Sequence, residues 1–320
     1  MRSGEPHGVA VWRGEEWRAQ ATAWVDGALA AVGSERTGPA VLHRVHPWSA
    51  VLRVPTGDGT AWMKASAPTT AFEVPMYSVL ARVAPERTLI PIAADPERAW
   101  LLLPDDGPPL AERSDEPTAG MAPALAAYGR LQRDLEGHIG ELLAAGVPDM
   151  RPEAMPERFE EALLHAVEAP AAGDEAIVRI AALREPVAEW AAALAASPVP
   201  PSLDHSDLHP FNVLGDGDEP RFFDWGDSSL AHPFAVMLVP LDMAGPEHRD
   251  EASDAYLAAF ADLAPRERLL ADLDIARRLA RIARALTWER ALRSSREQGE
   301  PVEERFESAV PETLLEIPPP

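Results

Sequence analysis

Two acids and an amide flank a predicted turn in the second half of the chain. Asp207 is followed five residues later by Asn212, in the segment DHSDLHPFNVL (204–214), and Asp224 lies at the end of the apolar run RFFDW (221–225). The turn cluster between the two apolar runs predicts an antiparallel hairpin, which would bring Asn212 and Asp224 side by side. Amide and carboxylate oxygens suit Mg²⁺, which keeps waters and substrate phosphates as its other ligands. Asp207 could orient a hydroxyl group and accept its proton, so the pattern indicates phosphoryl transfer.

The same segment permits a different metal site. His205, Asp207 and His209 alternate, so on a β-strand all three would share one face, as in the zinc or iron site of a metallohydrolase. Pro210 favours a loop over a strand, and such a triad would leave the residues of the hairpin without a role. We therefore expect His205 to be a structural hydrogen-bonding residue of the loop. His209 could contact the acceptor or only pack, and packing is favoured.

A phosphoryl-transfer site also needs a cation on the nucleotide phosphates. Lys64 lies in the predicted strand TAWMKA (60–65), and Glu73 follows nine residues later. An ion pair between them would hold the lysine ammonium over the phosphates. Because Pro75 is tolerated only in the first turn of a helix, we expect Glu73 at a helix start.

Short elements around this lysine predict a small α+β lobe over residues 1–103. Apolar residues at helical spacing predict its helices, short β-rich runs predict its strands, and PTGDG between two of these runs is a strong hairpin signal. A Pro/Gly-rich connector, PDDGPP, follows the lobe. The predicted elements are helix 14–32, strands 40–45, 49–54 and 60–65, helix 71–84, and strands 88–94 and 99–103.

Residues 104–320 are predicted to form a hinge and a larger, mostly helical lobe. The hairpin over residues 204–227 interrupts the helices, so the fold class is α+β. The predicted helices are 119–136, 155–168, 174–197, 249–263 and 266–295.

The combined motifs resemble those of the aminoglycoside phosphotransferase family, whose members are small-molecule relatives of the protein kinases. HSDLHPFN (205–212) is similar to the family's catalytic loop, H-G-D-x-x-x-x-N, and FFDWGD (222–227) is similar to its metal-binding segment. With the lysine strand, the helix glutamate and the hinge, the resemblance extends over residues 40–245. It implies a bilobal protein-kinase-like fold, ATP or GTP as phosphoryl donor, and Mg²⁺.

The resemblance also implies roles for individual residues. Asp207 would be the catalytic base, Asn212 and Asp224 metal ligands, and Lys64 the phosphate contact, in an enzyme that phosphorylates a hydroxyl group of a small molecule. A catalytically silent, kinase-like nucleotide-binding protein is the alternative within the same fold. A protein acceptor is less favoured, because only GDSSLAH (226–232) separates the metal segment from the next predicted helix.

The sequence departs from the family motifs at the loops. Ser206 replaces the usual glycine of the catalytic loop, and VHPWSAV stands in place of a G-x-G-x-x-G phosphate loop. Ser49 or nearby backbone amides are the candidates to contact phosphate there. In the hinge, with Leu103 as the gatekeeper, Pro104 would offer its carbonyl and Asp106 its N–H to the nucleobase, since proline lacks only the N–H.

Acids after the metal segment are candidates for the acceptor side. Asp227 and Glu289 could face the acceptor, although Asp227 could equally be a helix N-cap or a solvated loop acid. For Glu289, a solvated helix face is favoured over contact with the acceptor. Trp288 could line the acceptor cleft, but core packing is favoured. For Asp242 we expect a buried structural acid.

The amino-acid composition restricts the classes of partner that we expect for the protein. The 320-residue chain has 29 basic and 52 acidic residues, a net charge of −23, and no cysteine. Such a surface repels nucleic acid and anionic membranes; it would attract a cationic small molecule or serve solubility alone. The sequence shows neither an apolar run of transmembrane length nor a signal-peptide core. We therefore expect a cytoplasmic protein whose partner is a small-molecule acceptor, with no nucleic acid and no membrane; the oligomeric state is left open.

Overall fold

The polypeptide divides at Gly107, inside the Pro/Gly-rich connector. Our computed structural model describes residues 7–113, 118, 120–169, 173–215 and 219–319. One compact unit contains the chain up to Gly107 together with Arg290–Val302, and the other contains Pro108–Glu289 together with Glu303–Pro320. Residues 290–302 therefore group with the first unit, although the sequence pattern placed them in the helical lobe.

A five-stranded antiparallel sheet forms the first unit's centre, with strand order β1-β2-β3-β5-β4. The β2–β3 hairpin closes with Thr56 opposite Gly59, as the PTGDG signal predicted, and the β1–β2 turn is equally short, with His46 opposite Ser49. Its elements are α1 (Val9–Arg13), α2 (Glu15–Ala31), β1 (Val41–His46), β2 (Ser49–Thr56), β3 (Gly59–Ser66), α3 (Glu73–Val83), β4 (Ala93–Asp95) and β5 (Trp100–Pro104).

The core of this unit lies between α2 and the sheet. Trp17 and Val25 on the apolar face of α2 are buried with Met63 and Trp100 from the sheet, and the Trp17 and Trp100 rings meet edge to face at 6.3 Å. Burying such residues stabilises the unit by about 1.5–3 kcal/mol per large side chain. The packing fixes the central strand β3, which carries Lys64.

The strand predicted over 88–94 is mostly absent. Only Ala93–Asp95 pairs with β5, because Pro91 has no N–H for the ladder; the first backbone bond comes from Ile92, whose N–H donates to Leu102 at 2.7 Å.

Helices dominate the second unit. They are α4 (Met121–Asp134), α5 (Ile139–Ala144), α6 (Met155–Glu168), α7 (Asp174–Ala181), α8 (Arg184–Ala195), α9 (Leu238–Met243), α10 (Pro246–Leu257), α11 (Arg266–Glu297), α12 (Glu304–Glu307) and α13 (Ala309–Leu315); α11 ends within the first unit. The single helix predicted over 174–197 is two helices, because the ring of Pro186 would clash with the carbonyl of the preceding turn. The helix predicted over 249–263 begins earlier, with Pro246 in its first turn, and ends at Leu257.

Two small sheets carry the predicted hairpin region. β7 (Val213–Leu214) pairs with β8 (Arg221–Phe222), and β6 (Ser202–Asp204) pairs with β9 (Ser229–Ala231). The β6–β9 pair was not predicted. Both sequence motifs lie between these two strands. The segment that resembles the catalytic loop (205–212) follows β6, and the segment that resembles the metal-binding segment (222–227) precedes β9.

A buried amide anchors β6 to the helices. Gln132 of α4 donates from Nε2 to the carbonyls of Leu203 at 2.8 Å and Pro233 at 3.0 Å, and Tyr256 of α10 donates its hydroxyl to Gln132 Oε1. The hydroxyl of Tyr128 also donates to Leu203, at 3.1 Å. Two of these bonds satisfy the carbonyl of Leu203 in the short strand β6, and the third satisfies that of Pro233.

None of the described helices combines the length with the apolar composition that crossing a bilayer requires.

Candidate active site

A tight turn leads from β6 into the site. Ser206 has a φ of 61°, in the left-handed region that favours glycine. The carboxylate of Asp204 accepts the backbone N–H of Ser206 at 2.7 Å and its hydroxyl at 2.9 Å. Burial raises the pKa of Asp204 to about 6, against the lowering effect of these two bonds. The turn is therefore held by a buried acid immediately before the residue predicted to be the base.

The two carboxylate oxygens of Asp207 have different surroundings. Oδ2 accepts from His209 Nε2 at 3.1 Å and faces Asn212 Nδ2 at 3.4 Å. Oδ1 lies 3.6 Å from Nη1 of Arg284, beyond hydrogen-bond distance, and bonds to no residue in the described part of the chain. The Asp207 side chain is 29% exposed, and Oδ1 keeps its acceptor capacity for a further partner.

Asp207 and His209 shift each other's pKa in opposite directions. Burial alone would raise the pKa of Asp207, but the hydrogen bond and charge of His209 and the charge of Arg284 lower it below its ordinary value. Burial opposes protonation of His209, yet Asp207 raises the pKa of that imidazole above its usual range. His209 was expected to pack; instead it donates to Asp207, while its Nδ1 accepts the N–H of Phe211 at 3.2 Å.

Asn212 and Asp224 lie on facing sides of the hairpin. The N–H of Phe223 donates to the Asn212 carbonyl at 3.4 Å, so Asp224 is the next residue along. The predicted second strand ends earlier than expected, at Phe222, because Asp224 adopts a left-handed conformation with φ 62°. The Asn212 side-chain nitrogen donates to the Asp207 carbonyl at 2.9 Å, which leaves its oxygen for another partner. An amide oxygen and a carboxylate are ligand types that suit Mg²⁺.

His205 connects the catalytic loop to the metal segment. Its Nε2 lies 3.0 Å from the Phe223 carbonyl, which can only accept, so Nε2 carries the proton. Burial lowers the pKa of His205 despite the nearby charge of Asp207, and the imidazole stays neutral. The structural role expected for this histidine agrees with these contacts.

The alternative triad does not form. Residues 205–209 are a loop, and the His205 ring faces the Phe223 carbonyl. Within the described ranges, no group of three or more His, Cys, Asp or Glu residues could hold a metal ion.

Arg284 was missed by the sequence analysis. It lies on α11 and donates from Nη1 to the carbonyl of Ser206 at 3.2 Å, next to Asp207. From this helix, the sequence motifs pointed only to Trp288 and Glu289. The sole sequence signal for Arg284 is its place one turn before Trp288, and its guanidinium carbon lies 6.0 Å from that ring.

In the first unit, Lys64 and Glu73 form an ion pair. Nζ of Lys64 lies 2.8 Å from Oε1 and 2.7 Å from Oε2 of Glu73, and the Ser66 hydroxyl donates to Oε2 at 3.3 Å. Glu73 is the first residue of α3, as Pro75 required, and is fully buried, whereas Lys64 is 9% exposed. The role of this pair in nucleotide binding stays a prediction.

The other residues predicted to bind the nucleotide lie at the ends of strands. Ser49 begins β2 directly after the two-residue turn and is buried. Pro104 ends β5 opposite Ala61. Asp106 is half-buried and immediately precedes Gly107, whose φ is 86°. Their contacts with a nucleotide remain predictions.

The residues predicted for the acceptor side have varied positions. Asp227 is half-buried in a single 3₁₀ turn, Trp225–Asp227. Glu289 is 5% exposed, with a carboxylate oxygen 4.0 Å from Nδ1 of His165, so the expectation of a solvated face is wrong. Trp288 is partly buried against Phe306, with ring centroids 5.2 Å apart.

Asp242 is exposed, not buried as predicted. Its two oxygens pair with Arg277 at 2.6 Å and Arg281 at 3.1 Å on α11. The sequence pattern did not reveal these partners, which stand 35 and 39 residues away.

Comparisons with known proteins agree on one fold. A family model described as "Phosphotransferase enzyme family" matches residues 44–273. The solved macrolide 2′-phosphotransferase MphH from Brachybacterium faecium is similar over 92% of this chain and 98% of its own, with a TM-score of 0.59 and 16% identity. A choline/ethanolamine kinase family protein from Mesorhizobium loti is similar over 93% of this chain and 96% of its own, with a TM-score of 0.56 and 17% identity. The GDP complex of wild-type aminoglycoside 2′-phosphotransferase-IIIa is similar over 93% of this chain and 97% of its own, with a TM-score of 0.58 and 15% identity.

No curated protein sequence matches the chain. At such identities, the likeness to solved structures shows the fold. The α+β, bilobal, protein-kinase-like class predicted from the sequence is confirmed.

Proposed function

The chain belongs to the phosphotransferase enzyme family, and from this premise we propose that it moves the γ-phosphoryl group of ATP or GTP to a hydroxyl group of a small molecule. Membership supports an enzyme that transfers phosphate to small molecules. The observation that supports transfer from ATP or GTP to a hydroxyl group is the arrangement of the Asp207 carboxylate. One oxygen is held by His209, and the other bonds to no described residue and lies on a partly exposed side chain.

Asp207 is the base in this proposal. With Oδ2 held by His209 and facing Asn212, Oδ1 accepts a hydrogen bond from the acceptor hydroxyl, directs its lone pair toward the phosphorus and receives its proton. The lowered pKa of Asp207 keeps it ionised at neutral pH. Catalysis then depends mainly on positioning and charge.

The side-chain oxygens of Asn212 and Asp224 would hold Mg²⁺. The ion, when bound, neutralises charge on the phosphates. The hydrogen bond from Asn212 Nδ2 to the Asp207 carbonyl fixes which way the amide faces and links the metal ligand to the base.

For the donor, we assign the phosphate contact to Lys64. The Glu73 carboxylate accepts hydrogen bonds from the Lys64 ammonium and the Ser66 hydroxyl, and these bonds hold the ammonium in place. Ser49, the Pro104 carbonyl and the Asp106 N–H remain the proposed contacts with phosphate and base. Because a similar phosphotransferase was solved with GDP, both ATP and GTP are donors to test.

The test is Asp207→Asn. Calorimetric titration with Mg·ATP and Mg·GTP should give wild-type affinity, while phosphoryl transfer falls about 10²-fold or more, the usual scale for a positioned base. Asp254→Asn, at an exposed acid paired with Arg266, is the matched control and should keep full activity. Near-normal turnover in Asp207→Asn would contradict the base assignment.

The acceptor panel should begin with macrolides, aminoglycosides, choline and ethanolamine, the compounds that the names of similar structures suggest. Hydroxylated metabolites should follow. A wild-type protein that binds nucleotide but transfers phosphate to none of these would favour the silent nucleotide-binding alternative.

A further inference from the structure

A fixed positive charge lies beside the open oxygen of Asp207. Nη1 of Arg284 donates to the Ser206 carbonyl at 3.2 Å and lies 3.6 Å from Asp207 Oδ1. Resting on the function proposed above, we propose that Arg284 selects an acceptor that carries an anionic group, a carboxylate or a phosphate, close to the hydroxyl that is phosphorylated.

The guanidinium has donors to offer. Arg284 is 32% exposed, and in the described part of the chain Nε and Nη2 donate to no residue. A guanidinium presents its N–H groups in one plane, in a geometry that matches two oxygens of a carboxylate or phosphate. The Trp288 ring, 6.0 Å away, flanks the arginine on the same helix.

Asp207 does not use all the hydrogen-bond donors of Arg284, because in the proposed function its Oδ1 must accept a hydrogen bond from the acceptor hydroxyl. Two neighbouring arginines of α11 are in a different position: Arg277 and Arg281 share the carboxylate of Asp242. Arg284 therefore keeps donors beside the place where the hydroxyl binds.

This local charge opposes the expectation drawn from the whole chain. The net charge of −23 suggested a cationic acceptor, but Arg284 places a guanidinium 3.6 Å from Oδ1 of Asp207. Exposed charges are screened beyond about 8 Å at physiological salt, so a guanidinium a few ångström from the reacting hydroxyl outweighs distant acids. An ammonium group next to that hydroxyl would meet a like charge.

The test uses matched acceptors on one carbon skeleton. Glycerate and glycerol phosphate carry an anion next to a hydroxyl, glycerol is neutral, and 3-aminopropane-1,2-diol carries an ammonium; a sugar series of acid, neutral sugar and amino sugar repeats the comparison on a larger skeleton. Phosphoryl transfer from the better donor is measured for wild type, Arg284→Gln and Arg284→Glu. Arg266→Gln, the same change at an exposed pair on the same helix, is the control.

Wild type should prefer the anionic member of a series by about tenfold or more in kcat/KM, as expected for an opposite charge at this distance in a partly solvated site. Arg284→Gln should remove the preference, Arg284→Glu should reverse it, and Arg266→Gln should retain it. Nucleotide affinity should be unchanged in all three variants.

Three results would overturn the inference. They are a wild-type preference for the ammonium member, nucleotide binding with no transfer to any anionic member, and an equal loss for neutral and anionic acceptors in Arg284→Gln. The last would mean that the guanidinium serves the base Asp207 or the transferred phosphoryl group, and not an anionic group of the acceptor. Failure to bind nucleotide with Mg²⁺ would instead reject the proposed function itself.

Discussion

Asp204 and Ser206 form a closed unit directly before the proposed base. The Asp204 carboxylate accepts both the N–H and the hydroxyl of Ser206, whose φ of 61° is a conformation that glycine adopts more readily. A left-handed non-glycine residue costs on the order of 1–3 kcal/mol, and hydrogen bonds to a charged acceptor contribute a similar amount. The buried acid thus compensates for the absence of glycine.

Substitutions of Ser206 test this compensation. Ser206→Gly should change the free energy of unfolding by less than about 1 kcal/mol, because relief of strain offsets the lost hydroxyl bond. Ser206→Ala should destabilise by about 1–2 kcal/mol, because it keeps the strain and loses the bond. Urea denaturation of both variants measures the difference; equal losses would show that φ at this position carries no cost.

Removal of the proposed metal ligands should have unequal effects. Asp224→Ala should weaken Mg·ATP binding more than Asn212→Ala, since a carboxylate supplies charge as well as oxygen. Asn212→Ala should also lower kcat, because it removes the bond to the Asp207 carbonyl. Calorimetry with Mg²⁺, and with EDTA as control, separates metal effects from nucleotide effects. An unchanged Mg·ATP affinity in Asp224→Ala would place the site elsewhere.

The buried Lys64–Glu73 pair should matter for both stability and binding. Glu73→Ala leaves a lysine without its counter-ion, and loss of one partner of a buried pair costs about 3–5 kcal/mol. Lys64→Ala should also raise the nucleotide KM and lower kcat, and Lys64→Arg should not restore them fully because the guanidinium differs in shape.

Thermal unfolding and nucleotide kinetics on the same samples separate the two effects. Arg36→Ala, which breaks an exposed pair with Asp26, is the control and should lose at most about 1 kcal/mol. If Glu73→Ala is silent in both assays while Lys64→Ala is not, the ion pair has no role in positioning the lysine.

His232 should make the protein sensitive to acid. Burial, with the charge of Arg268, lowers its pKa to about 3. Because the unfolded value is about 6.5, the unfolded chain binds a proton between these two pH values and the folded chain does not. This contribution to stability is fully present above pH 6.5 and decreases by up to about 1.4 kcal/mol per pH unit toward pH 3.

Urea midpoints between pH 7 and 4 measure this dependence. His232→Gln should flatten it, whereas His248→Gln, at a more exposed position, should not. An identical pH slope in His232→Gln and wild type would assign the acid sensitivity to other groups.

Local signals in the sequence predicted the elements that pair with their neighbours. The β2–β3 hairpin has a turn signal between two adjacent runs, and its register ends at that turn. The β6–β9 pair has no turn signal and its strands are not adjacent in the sequence. Each strand is three residues long, and Asp204 pairs with Ser229 across the whole catalytic segment. A pairing of that kind depends on the surrounding helices, so the sequence pattern contains no sign of it.

The residue types of the candidate site could be predicted, but their partners could not. Motif spacing selected Asp207, Asn212 and Asp224, whereas Arg284 stands 78 residues after the carbonyl it binds and resembles the other arginines of α11.

The tripeptide His-Pro-Phe, which occurs at residues 209–211 and 232–234, shows that local sequence does not determine the pKa of a side chain. In both copies the histidine Nδ1 accepts the N–H of the phenylalanine, yet Asp207 raises the pKa of His209, while burial lowers that of His232 to about 3. Identical local sequence thus gives opposite charge behaviour, because the surroundings differ.

The Gln132 amide has a consequence for the order of folding. Its bonds to Leu203 and Pro233 close loops of 71 and 101 residues, and the Tyr256 hydroxyl that holds it lies 124 residues away. Closing long loops costs entropy before the contacts form, so β6 and the catalytic turn should be fixed only after α4 and α10 have met. A chain emerging from the ribosome would therefore complete its helical scaffold first, and would acquire the geometry needed for chemistry in one of its last steps.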